Sequence, residues 1–190
     1  TGQHHRIMFS HYVSQNLRAL WIAFALTTGT ALQSAPADFT VESVPAGKTF
    51  RLSEARGHYV VLHFLLKTEC PVCLLHVQRH ARQATNLPGV VQIFLKPDRA
   101  EEILRWTGRL PNDTNATSAP IVIYRDPDAG LAKGYEIPDG YEFHGERVHY
   151  PALLILDPEG REVFRKVGKN NTDRMSPDQL AAELQKLKAK

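Results

Sequence analysis

Residues 60–66, VVLHFLL, form the most sharply patterned stretch of the chain, seven positions with one polar member. Continuous apolarity over that length predicts a strand buried on both faces. A polar turn, Lys67-Thr68-Glu69, follows, and Leu74, Leu75 and Val77 then begin a helical pattern running from Pro71 to about Asn86. Leu87-Pro88-Gly89 closes that helix, and VVQIFL at 90–95 predicts a second buried strand. Asp98 can cap a helix reaching Trp106, with Ile103, Leu104 and Trp106 on its apolar side. Residues 107–119 read as a polar loop and IVIY at 121–124 as a short strand. Asp126-Pro127-Asp128 starts a short helix through Lys133, and 136–145 reads as irregular.

The last third of the pattern is a strand pair and a helix. ALLIL at 152–156 predicts a buried strand, and Asp157-Pro158-Glu159-Gly160 turns it into an antiparallel partner at 162–167. Ser176-Pro177-Asp178-Gln179 is a capping box with proline at the first helical position, opening a helix with Leu180, Leu184 and Leu187 along one side. Ahead of everything, Phe39, Val41 and Val44 alternate with polar residues, and Pro45-Ala46-Gly47 turns the chain toward Phe50 and Leu52 as an edge hairpin. The order is hairpin, β, α, β, α, β, short α, hairpin, α. Strands alternating with helices predict an α/β fold with a parallel core and antiparallel edges.

Residues 1–37 stand apart. Arg18 followed by ALWIAFAL at 19–26 and Ala35-Pro36-Ala37 has the layout of an export signal, with cleavage expected after 37 and a single domain over 38–190. Extending the apolar run through Leu32 keeps an uncleaved membrane anchor open, and an N-terminal core helix is the structural alternative. The expected location is therefore exported, periplasmic or otherwise extracytoplasmic.

Composition narrows the classes. The chain has 190 residues, 43% hydrophobic and 23% charged, which suits one domain with a real core. A net charge of +3, with basic and acidic residues interspersed, carries no nucleic-acid signature. Asn112, Asn115 and Asn170 head glycosylation triplets, which matter only in a eukaryotic secretory route. Two cysteines cannot build a disulfide scaffold, and a pair three residues apart closes too small a loop to staple the unfolded chain. Reactivity is the better reason for their presence.

Cys70 and Cys73 fall where strand gives way to helix. The first N–H groups of a helix lack partners and carry partial positive charge, so a Cys70 thiolate there is stabilised, with Pro71 at the first helical position. Lowering a thiol pKa from roughly 8.5 to roughly 7 raises the thiolate fraction at neutral pH from about 3% to about half. Cys73 lies one turn on, within reach for a disulfide. Cys70 is thus the expected attacking thiol and Cys73 the resolving one. Glu69 opposes the thiolate and Lys67 favours it, and the sequence leaves their balance open.

With these residues the chain resembles the redoxin branch of the thioredoxin-like proteins, the thioredoxin- and peroxiredoxin-like group of AhpC/TSA type. The resemblance rests on FRLSEARGHYVVLHF, CPVC, RDPDAGLAKGY and YPALLILDPEGREVFRKVG and covers about 38–190. It implies a thioredoxin fold, a central mixed sheet flanked by helices with an N-terminal hairpin extension. It also implies a cis bond at Pro151, presenting the backbone of Tyr150 to a substrate disulfide. Further implications are protein thiol or disulfide substrates, a redox-recycling partner, no cofactor beyond the Cys70–Cys73 disulfide, and a role in redox homeostasis. The tryptophan usual before the first cysteine is Glu69 here, and the usual buried acid is absent. His63 is either its substitute as proton shuttle or a core histidine.

Two alternatives accompany this reading. Antioxidant peroxide reduction would need a Thr or Ser two residues ahead of an x-Cys and an arginine facing the thiolate; Thr68 is one residue too close to Cys70, and Pro151 stands where that arginine often lies. Copper or zinc handling would use Cys70, Cys73, His76 and His80, which share a helix face, with His149 as a distant ligand. A redox-inactive binding module is disfavoured by the intact CxxC.

Overall fold

The main sheet runs β2-β1-β5-β4-β3-β8-β9 in the computed structural model, which describes residues 38–67, 69–110 and 121–189. The first hairpin is β1 (Thr40–Val44) and β2 (Thr49–Arg51), followed by β3 (Tyr59–Phe64), α1 (Pro71–Gln83) and β4 (Val90–Lys96). Next come α2 (Ala100–Thr107), β5 (Ile123–Arg125) and α3 (Gly130–Gly134). A second hairpin, β6 (Asp139–Phe143) and β7 (Glu146–His149), forms its own two-stranded sheet before β8 (Ala152–Leu156), β9 (Glu162–Val167) and α4 (Pro177–Lys188). This is the mixed sheet with flanking helices and an N-terminal hairpin at its edge that the thioredoxin resemblance implied. The expected export signal and the Asn112 and Asn115 triplets lie outside the described residues.

β3 is the middle of the structure because its sequence suits neither face to water. It pairs in parallel with β4 and antiparallel with β8, placing His63 opposite Phe94 on one side and Leu153 on the other. Val60, Leu62 and Phe64 face one way, into a core with Leu95, Leu154 and Tyr135. Val61 faces the other way, against Ile155 and the α4 residues Leu180 and Leu184. Each such buried Val, Leu or Phe contributes roughly 1.5–3 kcal/mol, so the chain holds this strand rigidly and Cys70 sits just beyond its end.

The structure corrects several local expectations. Asp98 does not cap α2; its carboxylate takes Lys96 Nζ at 2.6 Å, and Arg99 begins the helix, its N–H donating to Glu102 Oε2. Residues 136–145 are not irregular but supply β6 and its turn. Gly140 interrupts the register, and His144-Gly145 turns the hairpin with both residues at positive φ, so the alternation is too broken to read as a strand. The Tyr150–Pro151 bond is trans, and the cis X–Pro bond among the described residues is Val44–Pro45. Tyr150 N–H donates to Pro138 O and Pro151 O accepts from Gly168 N–H, so both sides of the bond are satisfied by neighbouring hairpins in the lower-energy trans form.

Candidate active site

Cys70 is the N-cap of α1. Its Sγ accepts the Cys73 N–H at 3.1 Å, and Pro71 takes the first position, where no donor is needed. The two cysteines form a disulfide with Cα atoms 5.2 Å apart. Two elements fix the turn that carries them. Trp106 of α2 donates its indole N–H to Cys70 O at 3.2 Å, and Lys96 of β4 donates to Leu66 O at 3.0 Å. Lys96 is fully buried, paired with Asp98 and 5.1 Å from the Trp106 ring centre. Burial pushes its pKa down while Asp98 holds it up.

The charges weighed beside the dithiol are engaged elsewhere. Both Glu69 oxygens accept from Arg109, at 2.8 and 2.9 Å, and Lys67 pairs with Glu146 at 2.7 Å. Among the described residues the cation that reaches the sulfurs is Arg174, which sequence reasoning missed. Its Nη2 lies 3.2 Å from Cys73 Sγ and 3.0 Å from Asn171 Oδ1, and Asn171 Oδ1 is itself 3.3 Å from Cys70 Sγ. Desolvation lowers the Arg174 pKa to about 10, which leaves it charged at neutral pH.

Residues 168–175 therefore cover the disulfide, and neither sulfur-bearing residue is solvent-exposed. The cover is braced from below and beside. Asn171 N–H donates to the Tyr141 hydroxyl of β6, Arg174 Nε donates to Asn171 O, and Lys166 pairs with Asp173. Asn170 folds the turn by accepting from the N–H groups of Thr172 and Asp173. Tyr141 packs on Tyr150 with ring centres 5.2 Å apart. No local pattern flags Arg174, because a polar loop with one arginine looks like any solvated turn.

The histidines regroup. His63 Nδ1 is 3.0 Å from His76 Nε2, and His63 Nε2 is 3.0 Å from Gln92 Oε1. His80 Nε2 meets Met175 O at 3.0 Å. Burial is the first cause of low pKa values throughout this group, about 2 for His76, about 4 for His80 and well below the usual range for His63, so all three imidazoles are neutral. His149 is elsewhere. It lies on the Phe64 side of the sheet, with Nδ1 on its own Tyr150 carbonyl, and burial depresses its pKa as well. Pro151 stands beside Gly168 and, with His76, Arg174 and Met175, lines a crevice of about 10 Å³. Tyr150 has both its N–H and its carbonyl engaged within the protein.

The profile of the AhpC/TSA family matches residues 32–163. Among solved structures, the bacterioferritin comigratory protein of Xanthomonas campestris, whose alkyl peroxide reduction has been described, superposes with a TM-score of 0.62 at 16% identity, covering 82% of this chain and 92% of its own. The exposed lipoprotein thioredoxin of Streptococcus pneumoniae gives 0.60 at 22% identity, over 79% of this chain and 99% of its own. The yeast mitochondrial 1-Cys peroxiredoxin gives 0.68 at 14% identity, over 82% and 75%. No curated protein sequence matches the chain.

Proposed function

The chain belongs to the AhpC/TSA family, a redoxin family of oxidoreductases, and from that premise we propose that it is an exported thiol–disulfide oxidoreductase acting through Cys70 and Cys73. The observation that carries this reading is the disulfide itself, formed across the first turn of α1 with Cys70 at the helix N-terminus. In the reducing direction the Cys70 thiolate attacks one sulfur of a substrate disulfide, and that substrate's other sulfur leaves as thiolate. Cys73 then attacks Cys70 Sγ, releasing the second substrate thiol. The protein dithiol becomes a disulfide while the substrate disulfide gains two electrons and two protons. Arg174, held against Cys73, favours the resolving thiolate. Since the cover of residues 168–175 buries both sulfurs, a protein substrate displaces Asn171 and Arg174 to reach Cys70.

The test is insulin reduction by the full chain beside Cys70→Ser and Cys73→Ser. Loss of turnover in both is expected, with a trapped mixed disulfide only in Cys73→Ser. Turnover surviving Cys70→Ser would remove Cys70 as nucleophile.

Burial of the sulfurs beneath an arginine-bearing cover also favours a second reading, reduction of small peroxides. Rapid consumption of hydrogen peroxide with dithiothreitol, and none of insulin, would put that reading first.

A further inference from the structure

We propose that His63, His76 and His80 form a copper(I) site behind the dithiol, distinct from the sulfurs. One ring nitrogen from each lies within 4.8 Å of the other two. The site spans the layers of the fold, with His63 from β3 and His76 and His80 one turn apart on α1. Ring centres are 5.1 Å apart for His63–His76, 4.7 Å for His63–His80 and 4.3 Å for His76–His80.

The hydrogen bonds show which lone pairs are available. Met175 O can only accept, so His80 Nε2 carries the hydrogen and Nδ1 is a bare lone pair. That Nδ1 is buried with no partner among the described residues, an unusual state for a polar atom in a core. Gln92 Oε1 accepts from His63 Nε2, so His63 Nδ1 is bare as well and takes the His76 Nε2–H. Gln92 is itself oriented by its Nε2 donating to His80 O. A metal ion replaces the hydrogen shared between His63 and His76 once His76 moves its proton to Nδ1. Metal–imidazole bonds of about 2.0–2.1 Å set nitrogens about 3.5 Å apart in a trigonal plane, so the His63–His76 pair, at 3.0 Å, opens by about half an ångström while wider pairs close by up to about an ångström.

Charge and space select the ion. The donors are three imidazoles with no carboxylate among them, and the Arg174 charge acts on His63 and His76. Burying a doubly charged ion there costs about four times the Born energy of a singly charged one. Zinc in a three-histidine site also needs a fourth ligand, usually water. The crevice of about 10 Å³ beside His76 is lined by neither His63 nor His80, so a water held in it does not lie among all three rings. Three-coordinate copper(I) needs neither a second charge nor a fourth donor, and imidazole is an accepted copper ligand.

The experiment uses the full chain with its disulfide intact, which removes both thiolates as ligands and separates this site from the exchange chemistry. Copper(I) is titrated anaerobically in competition with bicinchoninate, and X-ray absorption reads the donor atoms. One equivalent bound through nitrogen, with affinity falling at least tenfold in His80→Gln and in His76→Gln and unchanged in His149→Gln, is expected. Cys70→Ser/Cys73→Ser retains the site. Failure of the wild-type protein to compete, sulfur in the copper shell, or zinc(II) held in preference to copper(I) would overturn the proposal, whatever the variants' folding.

Discussion

Arg174 Nη2 donates to Cys73 Sγ at 3.2 Å, joining side chains 101 residues apart in the chain. A guanidinium held in a desolvated position against a sulfur lowers that sulfur's proton affinity more than an exposed cation can. The helix N-terminus lies at Cys70 and Arg174 at Cys73, so different parts of the fold meet the two sulfurs.

Arg174→Gln is expected to raise the Cys73 thiol pKa and slow the resolving step about tenfold, equivalent to about 1.4 kcal/mol. Arg174→Lys should recover part of the rate by keeping the charge without the planar fork. Stopped-flow decay of a mixed disulfide, with thiolate absorbance followed against pH, measures both effects. An unchanged resolving rate would leave Arg174 only a packing role.

Gly168→Ala should loosen the cover. A Cβ at this position would collide with Asp173 O and come within 3.1 Å of Pro151 Cγ. Backbone must shift, and the Asn171–Arg174 segment shifts with it. Faster alkylation of the reduced cysteines by iodoacetamide, with a stability loss of about 1–3 kcal/mol by urea denaturation, is expected. Unaltered alkylation would mean that the segment does not limit access.

Lys96→Met should destabilise the fold by about 3–5 kcal/mol, because it takes the Lys96 ammonium away from the buried Asp98 carboxylate. Lys96→Met/Asp98→Leu should restore much of that loss, since an apolar pair replaces a desolvated ionic one. The double variant still lacks the Lys96–Leu66 hydrogen bond that holds the turn before Cys70. Urea midpoints report the first effect and insulin reduction the second.

Acid should weaken the fold through the buried histidines. Their folded pKa values lie below the usual 6.5, at about 4 for His80 and about 2 for His76, with burial the first cause. Below pH 6.5 the unfolded chain takes protons that the native state refuses. Stability present in full above 6.5 is therefore lost as pH falls, by about 1.4 kcal/mol per pH unit for each histidine. The loss continues to about pH 4 for His80 and further for His76. Urea midpoints measured from about pH 7.5 to pH 5 should show this slope, and His80→Gln should flatten it.

Much was legible in the chain itself because the deciding interactions are local or periodic. VVLHFLL demands burial on both faces, and CPVC at its end places a sulfur at a helix N-terminus through capping geometry that spans three residues. Ser176 and Gln179 form their capping box within a single turn, which the sequence shows directly. The second hairpin escaped because Gly140 and His144-Gly145 break its period. Asp98 satisfied the rule for a cap, but Lys96 needed a buried counter-ion more.

Tertiary structure alone decided what surrounds the dithiol. Arg174 and Asn171 reach the sulfurs only when β8, β9 and the following loop pack beside β3 and α1, and a contact across 101 residues leaves no local periodicity. The histidines show the same division. His76 and His80 were legible as partners on one helix face, but His63 joins them only because β3 lies beneath α1, while His149 falls on the other side of the sheet. Sequence set the cysteine pair and its helix; packing set the charge, the cover and the imidazoles behind it.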